Sequence, residues 1–342
     1  MLTLNDFSFL IVTQARDLPR LTGVYHSIRS LYPENEVVIV YENQNGIKLN
    51  PNDSNLIEVY TDKRVYVSVG YNLALRHSTK RCFVFIHDDT FLARNFLENI
   101  IPHISDTQFC NFTTVEPPIY NDPDTLGKPI KDFTRSIQTF DLERFRAFCD
   151  EHVNKIPDSV MASPFGGFFM AGFKSSIDSV GGFDEYFQPY FYEDADLMFR
   201  LHQRGFTFVQ VLSSLVYHMG SLTSRGTAES EQSMQITAQL FLKKWKTPWE
   251  YIKHYTLSNG VEYKRIPVEI IVRNGNPQLN TFVELINEPD SDMQISVDGS
   301  RLTQQDVEFL QTLPYVLQSV DEDGQYELGN LTVNYKKGRS HV

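Results

Sequence analysis

Cysteine is scarce. The three present, Cys82, Cys110 and Cys149, are odd in number, widely spaced and form no C-x-x-C pair. Neither a disulfide framework nor a thiolate zinc site is therefore expected. No basic segment leads into an apolar run near Met1, and no stretch approaches the roughly 18 consecutive apolar residues of a membrane-spanning helix. The expected setting is the reducing cytoplasm, with no transmembrane segment. Without a secretion signal, the two glycosylation sequons at Asn111 and Asn330 carry little weight. Positive charge is also short: 31 Lys and Arg against 43 Asp and Glu leave a net charge of -12. Such a balance opposes broad binding to nucleic acid or anionic membrane. The short basic clusters Lys243, Lys244 and Lys246, and Lys336, Lys337 and Arg339, read as solvated faces. Internal repeats and low-complexity tracts are missing as well.

What is present is a well-stocked apolar core. A hydrophobic fraction of 41% over 342 residues is enough for one large domain plus an appendage. Phe7 to Thr13 is a short apolar run, followed by Leu21, Val24, Ile28 and Leu31 at helical spacing. Val37 to Tyr41 and Leu56 to Tyr60 read as further strands, Val69 to Arg76 as a helix, and Cys82 to Ile86 as a strand buried on both faces. Strands alternating with helices predict an open, doubly wound α/β sheet, whose ligands bind beyond the carboxyl ends of the strands. Residues at four strand ends then matter most: Thr13 to Arg16, Glu42 to Asn45, Thr61 to Arg64 and His87 to Thr90. Glu116 to Lys131 reads as a surface loop and Ser221 to Ser233 as a mobile polar stretch. The expected division is 1–256 as the main domain and 257–342 as a small α+β domain, with strands at Val268 to Val272 and Thr281 to Ile286 and a helix at Thr303 to Thr312.

Three constellations carry chemistry. His87-Asp88-Asp89 follows a strand, and its adjacent carboxylates repel unless solvent or a cation compensates. Oxygen donors suit Mg2+ or Mn2+, and added imidazole leans toward Mn2+. The competing reading is the start of a helix over Phe91 to Ile101. Tyr192-Glu193-Asp194-Ala195-Asp196 opens a helix with Leu197, Met198 and Leu201 on one face. One of its acids is a candidate general base; ordinary stabilisation of a helix start, with Asp196 and Arg200 as a surface pair, is the alternative. His218 follows the apolar run Val209 to Val216 and is either a ligand or a structural histidine.

From Phe7 to about Ser221 the chain resembles the large inverting glycosyltransferase group with the GT-A fold, often called family 2. The likeness rests on His87-Asp88-Asp89 as the Asp-x-Asp segment and on Gly181-Gly182-Phe183-Asp184-Glu185 through Glu193-Asp194 to Gly205 and His218. Gly166-Gly167-Phe168 and Gly70-Tyr71-Asn72 add to it. The resemblance implies a Rossmann-like, mostly parallel sheet flanked by helices, a nucleoside-diphosphate sugar donor and a Mn2+ or Mg2+ cofactor. By the same resemblance Asp89 and His218 hold the cation and Asp194 is the base. Thr13, Gln14, Arg16, Glu42, Asn72 and Asp88 border the donor, with Arg225 reaching its phosphates from a lid over 220–233. Gly167 and Glu193 face the acceptor. Two positions depart from the family pattern: His87 stands where the first Asp is usual, and Glu42 also replaces an Asp. A saccharide acceptor is expected; a hydroxylated base in DNA, or a non-catalytic nucleotide-sugar-binding protein, is the alternative. A sugar nucleotidyltransferase is disfavoured, because Val12-Thr13-Gln14-Ala15-Arg16 lacks a glycine-rich loop.

Overall fold

The computed structural model describes residues 2–44, 46–119, 124–156, 159–163, 167–220 and 228–245, together with four later strands. In chain order the elements are β1 (Phe7–Thr13), α1 (Leu18–Arg29), β2 (Glu36–Tyr41), β3 (Leu56–Tyr60), α2 (Tyr66–His77), β4 (Cys82–Phe85), β5 (Thr90–Leu92) and α3 (Phe96–Ile100). They continue with β6 (Gln108–Val115), α4 (Leu142–Val153), β7 (Val160–Ala162), β8 (Met170–Phe173), α5 (Lys174–Asp178), α6 (Glu193–Gln203), β9 (Thr207–His218) and α7 (Ala228–Trp245). Contacts divide the chain into two compact units, Met1–Met234 and Gln235–Val342.

The first unit is built on a mixed sheet in the order β3-β2-β1-β4-β8-β6-β9-β5, with β7 also paired to β9. β1 to β4 run parallel, β8 is antiparallel to both its neighbours, and β6 and β9 are parallel again. Strand residues alternate between the two faces, and both faces are covered by helices. Phe7, Phe9, Ile11, Val37, Ile39, Cys82 and Val84 pack with α1, α3 and α4 through Leu21, Val24, Ile28, Phe96, Leu97 and Phe145. Leu10, Val38, Val40, Phe83 and Phe85 pack on the other side with Tyr71, Ala74, Ile177, Leu197 and Leu201 of α2, α5 and α6. That double coverage is why these strands read as unbroken apolar runs. Where α2 crosses β1 there is no room for a side chain, and a Cβ on Gly70 would lie 2.5 Å from Val12 Cγ1.

Three expectations change. The helix after Asp89 starts only at Phe96; Thr90–Leu92 is instead a strand antiparallel to β9. Thr90 and the buried Phe91 and Leu92 are held by that pairing, so the acids before them do not cap a helix. Asp196 and Arg200 are not a surface pair: Asp196 is fully buried, and Arg200 Nε donates to it at 2.8 Å while Nη1 donates to Val180 O. The pair thus ties α6 to the turn after α5. Ala228 to Ser233, expected to be a mobile polar stretch, opens α7, and Ser230 and Ser233 are buried; Ser233 Oγ donates to Tyr190 O at 2.7 Å.

The second unit has a four-stranded sheet, with β10 (Val268–Val272), β11 (Met293–Asp298), β12 (Gly324–Leu328) and β13 (Leu331–Lys336) in the order β10-β11-β13-β12. The expected strand at 268–272 is there. The expected strand at 281–286 and helix at 303–312 lie outside the described residues. Among the described residues no helix is long and apolar enough to cross a membrane.

Candidate active site

A cleft of about 340 Å³ opens where the strands end. Thr13 and Gln14 reach it from β1, Glu42 from β2, Arg64 from the end of β3, and His87, Asp88 and Asp89 from β4. Glu193 and Asp194 enter from α6, and His218 from β9. Residues separated by more than 200 positions in sequence thus meet because each follows a strand or opens a helix at the same edge of the sheet.

Pairing explains the closest of these meetings. Thr90 of β5 lies opposite His218 of β9, and Met219 N donates to Asp89 O at 3.1 Å. Asp89 is carried to the imidazole by that register. Its Oδ1 is 3.5 Å from His218 Nε2, and both residues are buried. His87 supplies the third donor: one ligand atom from each of His87, Asp89 and His218 falls within 4.8 Å of the others. The His87 ring is held against Phe168 and Phe169, at centroid distances of 4.4 and 4.9 Å. One carboxylate and two imidazoles converging in a buried corner suit a divalent cation.

Asp88 points elsewhere. Thr13 Oγ1 donates to its Oδ2 at 2.5 Å, Arg20 Nη2 approaches at 3.5 Å, and Arg20 Nε donates to its carbonyl at 3.3 Å. Burial, and then the neighbouring Asp89 charge, push the Asp88 carboxyl above the ordinary range, against Arg20 and Thr13. Asp88 therefore fastens the ends of β1 and β4 together. Glu42 is also engaged: its Oε1 accepts the backbone N–H groups of Val65, at 3.1 Å, and of Tyr66, where α2 begins. Burial raises the Glu42 pKa despite those bonds and the nearby Arg64.

At the opposite wall, Phe191 and Tyr192 both take left-handed φ, at 78° and 64°, immediately before α6. Such conformations in non-glycine residues cost energy and mark a segment fixed by its surroundings. Glu193 is buried, its Oε2 has no hydrogen-bond partner among the described residues, and burial followed by the Asp194 charge pushes its pKa up to about 8. Asp194 is half-buried, and its Oδ1 accepts Ala195 N–H at 2.8 Å.

Some expected residues do not reach the cleft. Asn72 binds Phe183 on both sides, Nδ2 donating to its carbonyl and Oδ1 accepting its N–H, each at 2.9 Å. Those bonds lock α2 to the glycine turn. Arg16 is exposed beside the cleft, and Gly167 contributes only a carbonyl that accepts from Asn111 Nδ2. Arg225 lies outside the described residues. Other lining residues had no assigned role in the sequence: Arg64, Glu116, Lys128 and the aromatic side chains Tyr66, Phe168, Phe169 and Tyr190. Arg64 had a signal, since it follows a strand end. Glu116 and Lys128 had none, because they lay in a stretch read as surface loop.

Both the sequence and the fold have known relatives. Residues 8–160 match the family model described as glycosyl transferase family 2. The match ends before Glu193, Asp194 and His218. No curated protein matches the sequence. Among solved structures, GalNAc-T7 with UDP, GalNAc and Mn2+ is similar with a TM-score of 0.51 and 14% identity, covering 76% of this chain and 52% of that one. The chain thus spans about half the length of that protein. The 1–349 segment of S. aureus TarS gives a TM-score of 0.45 and 12% identity, over 76% of this chain and 77% of that one. At such identities the likeness is one of fold. Over residues 8–160 the chain is similar in sequence to glycosyl transferase family 2, and its central sheet flanked by helices is the GT-A glycosyltransferase fold.

Proposed function

We propose that the protein is a divalent-cation-dependent inverting glycosyltransferase, moving a hexosyl or pentosyl unit from a nucleoside-diphosphate sugar to an acceptor hydroxyl. The observation that carries this reading is the cluster of His87, Asp89 and His218 in the same cleft as Glu193 and Asp194. His87, Asp89 and His218 would hold a divalent cation, which would supply positive charge to offset the leaving diphosphate. Mn2+ suits two imidazoles and a carboxylate better than Mg2+, which prefers oxygen and water. GalNAc-T7, of the same fold, is known with UDP, GalNAc and Mn2+ bound.

The remaining steps belong to the chain itself. Thr13, Gln14 and Glu42 border the nucleotide from the ends of β1 and β2, and Arg64 adds a guanidinium beside Glu42. Asp88 acts indirectly, holding Thr13 in place. Asp194, on a rigid helix start, takes the proton from the acceptor hydroxyl as that oxygen attacks the anomeric carbon from the face opposite the diphosphate. Glu193 lies on the acceptor side. Phe168, Phe169, Tyr190 and Phe191 give the cleft an aromatic wall. Apolar ring faces of this kind suit the C–H faces of a saccharide acceptor better than a polyanion, and the adjacent acids repel DNA. The reading includes action in the cytoplasm.

Asp194→Asn tests the assignment of the base. Transfer, followed by chromatography of a labelled donor, is expected to fall by about 100-fold or more, the scale of lost proton transfer. Nucleotide and Mn2+ binding by calorimetry remain. An unchanged transfer rate removes Asp194 from the mechanism.

A further inference from the structure

Glu116 lies one residue beyond β6. Its strand runs parallel to β9 with Val115 opposite Tyr217, so the next step along both strands brings Glu116 beside His218. The two residues meet at 2.8 Å, Glu116 Oε1 to His218 Nδ1. The glutamate is fixed on every side. Its backbone N–H donates to Pro129 O at 3.1 Å, its carbonyl accepts from Lys131 N at 2.8 Å, and Lys128 Nζ lies 3.4 Å from Oε2. At 2.8 Å the carboxylate oxygen accepts a hydrogen bond from the ring, which places the proton of the pair on Nδ1.

This arrangement leaves the other ring nitrogen, Nε2, turned toward Asp89 and His87. We infer that Glu116 is a positioning residue: it fixes the His218 ring with Nδ1 protonated, so that the Nε2 lone pair is presented to a divalent cation shared with Asp89 and His87. A carboxylate behind a ligating histidine fixes the tautomer and strengthens the ligand, and losing one costs about 10- to 100-fold in metal affinity. The inference rests on the proposed cation site, yet one part of it is readable without any metal. Lys128 completes the arrangement from the hairpin that follows: its backbone N–H donates to Thr125 O at 3.2 Å. That contact also gives the Glu116-to-Lys131 segment a purpose that its loop-like composition hides.

Two measurements on the full chain test this. Nitrogen-15 NMR of the metal-free protein, followed to a pH at which the ring is neutral, is expected to find neutral His218 carrying its proton at Nδ1, and Glu116→Ala is expected to shift that form toward Nε2–H. Free-Mn2+ titration by electron paramagnetic resonance is expected to give Glu116→Gln and Glu116→Ala a Kd raised about 10- to 100-fold, with both variants shown to be folded in chelator by circular dichroism. A wild-type His218 protonated at Nε2 alone overturns the inference, as does wild-type Mn2+ affinity in both folded variants. If Glu116→Ala fails to fold, the wild-type tautomer and the Glu116→Gln affinity decide. A wild-type protein that binds no Mn2+ defeats the cation site itself, while the metal-free tautomer tests the Glu116–His218 pair separately.

Discussion

Glu193 and Asp194 are neighbours with unequal surroundings. The first is enclosed, with one oxygen unpartnered among the described residues and its pKa at about 8; the second is half-open and bonded to the backbone of its own helix. Because the folded pKa of Glu193 lies above its ordinary value of 4.5, the folded protein keeps a proton that the unfolded chain releases. Its contribution to stability is fully present below about pH 4.5 and is lost as the pH rises through about 8. Urea unfolding of the wild type is therefore expected to show a loss of stability between about pH 5 and pH 9. Glu193→Gln, neutral throughout, is expected to reduce that slope. Parallel pH profiles for the two proteins would mean that Glu193 ionises as an ordinary exposed acid.

The elements that position the cleft depend on close approach. Gly70 lets α2 lie against Val12, which itself lines the cleft. Gly70→Ala is expected to destabilise the fold by about 1–3 kcal/mol, the usual cost of overpacking, read as a lower urea midpoint. An unchanged midpoint would show that β1 and α2 separate freely. Most of this layer was legible: β1, β2 and β4 are apolar runs buried on both faces, β3 is a half-buried edge strand, and α1 buries Leu21, Val24 and Ile28 at helical spacing. β5 was not, because a three-residue strand made only by pairing with β9 has no period of its own. β6 and the Glu116 hairpin were hidden for a related reason. Pro117, Pro118 and Asp124 look like loop chemistry, while the contact that matters runs sideways to His218. His87 stands out in sequence as part of the acidic strand end and as a departure from the family pattern; its convergence with Asp89 and His218 comes from the pairing of the strands.

At the scale of the whole molecule, one sheet edge collects acids from β2, β4 and α6, imidazoles from β4 and β9, and a single strand-end arginine, Arg64. Arg64 Nη1 pairs with Glu229 of α7 at 2.8 Å, so the far end of the first unit is also tied to the cleft. A cleft dominated by carboxylates has little attraction for a diphosphate unless a cation comes with it. Calorimetric titration of the full chain with a panel of nucleoside diphosphates, with and without Mn2+, measures that dependence. At least one nucleotide is expected to bind in the presence of Mn2+, with an affinity that falls about 10-fold or more when the metal is chelated or Asp89 is replaced by Ala. Equal affinity with and without Mn2+, in both the wild type and Asp89→Ala, would contradict it.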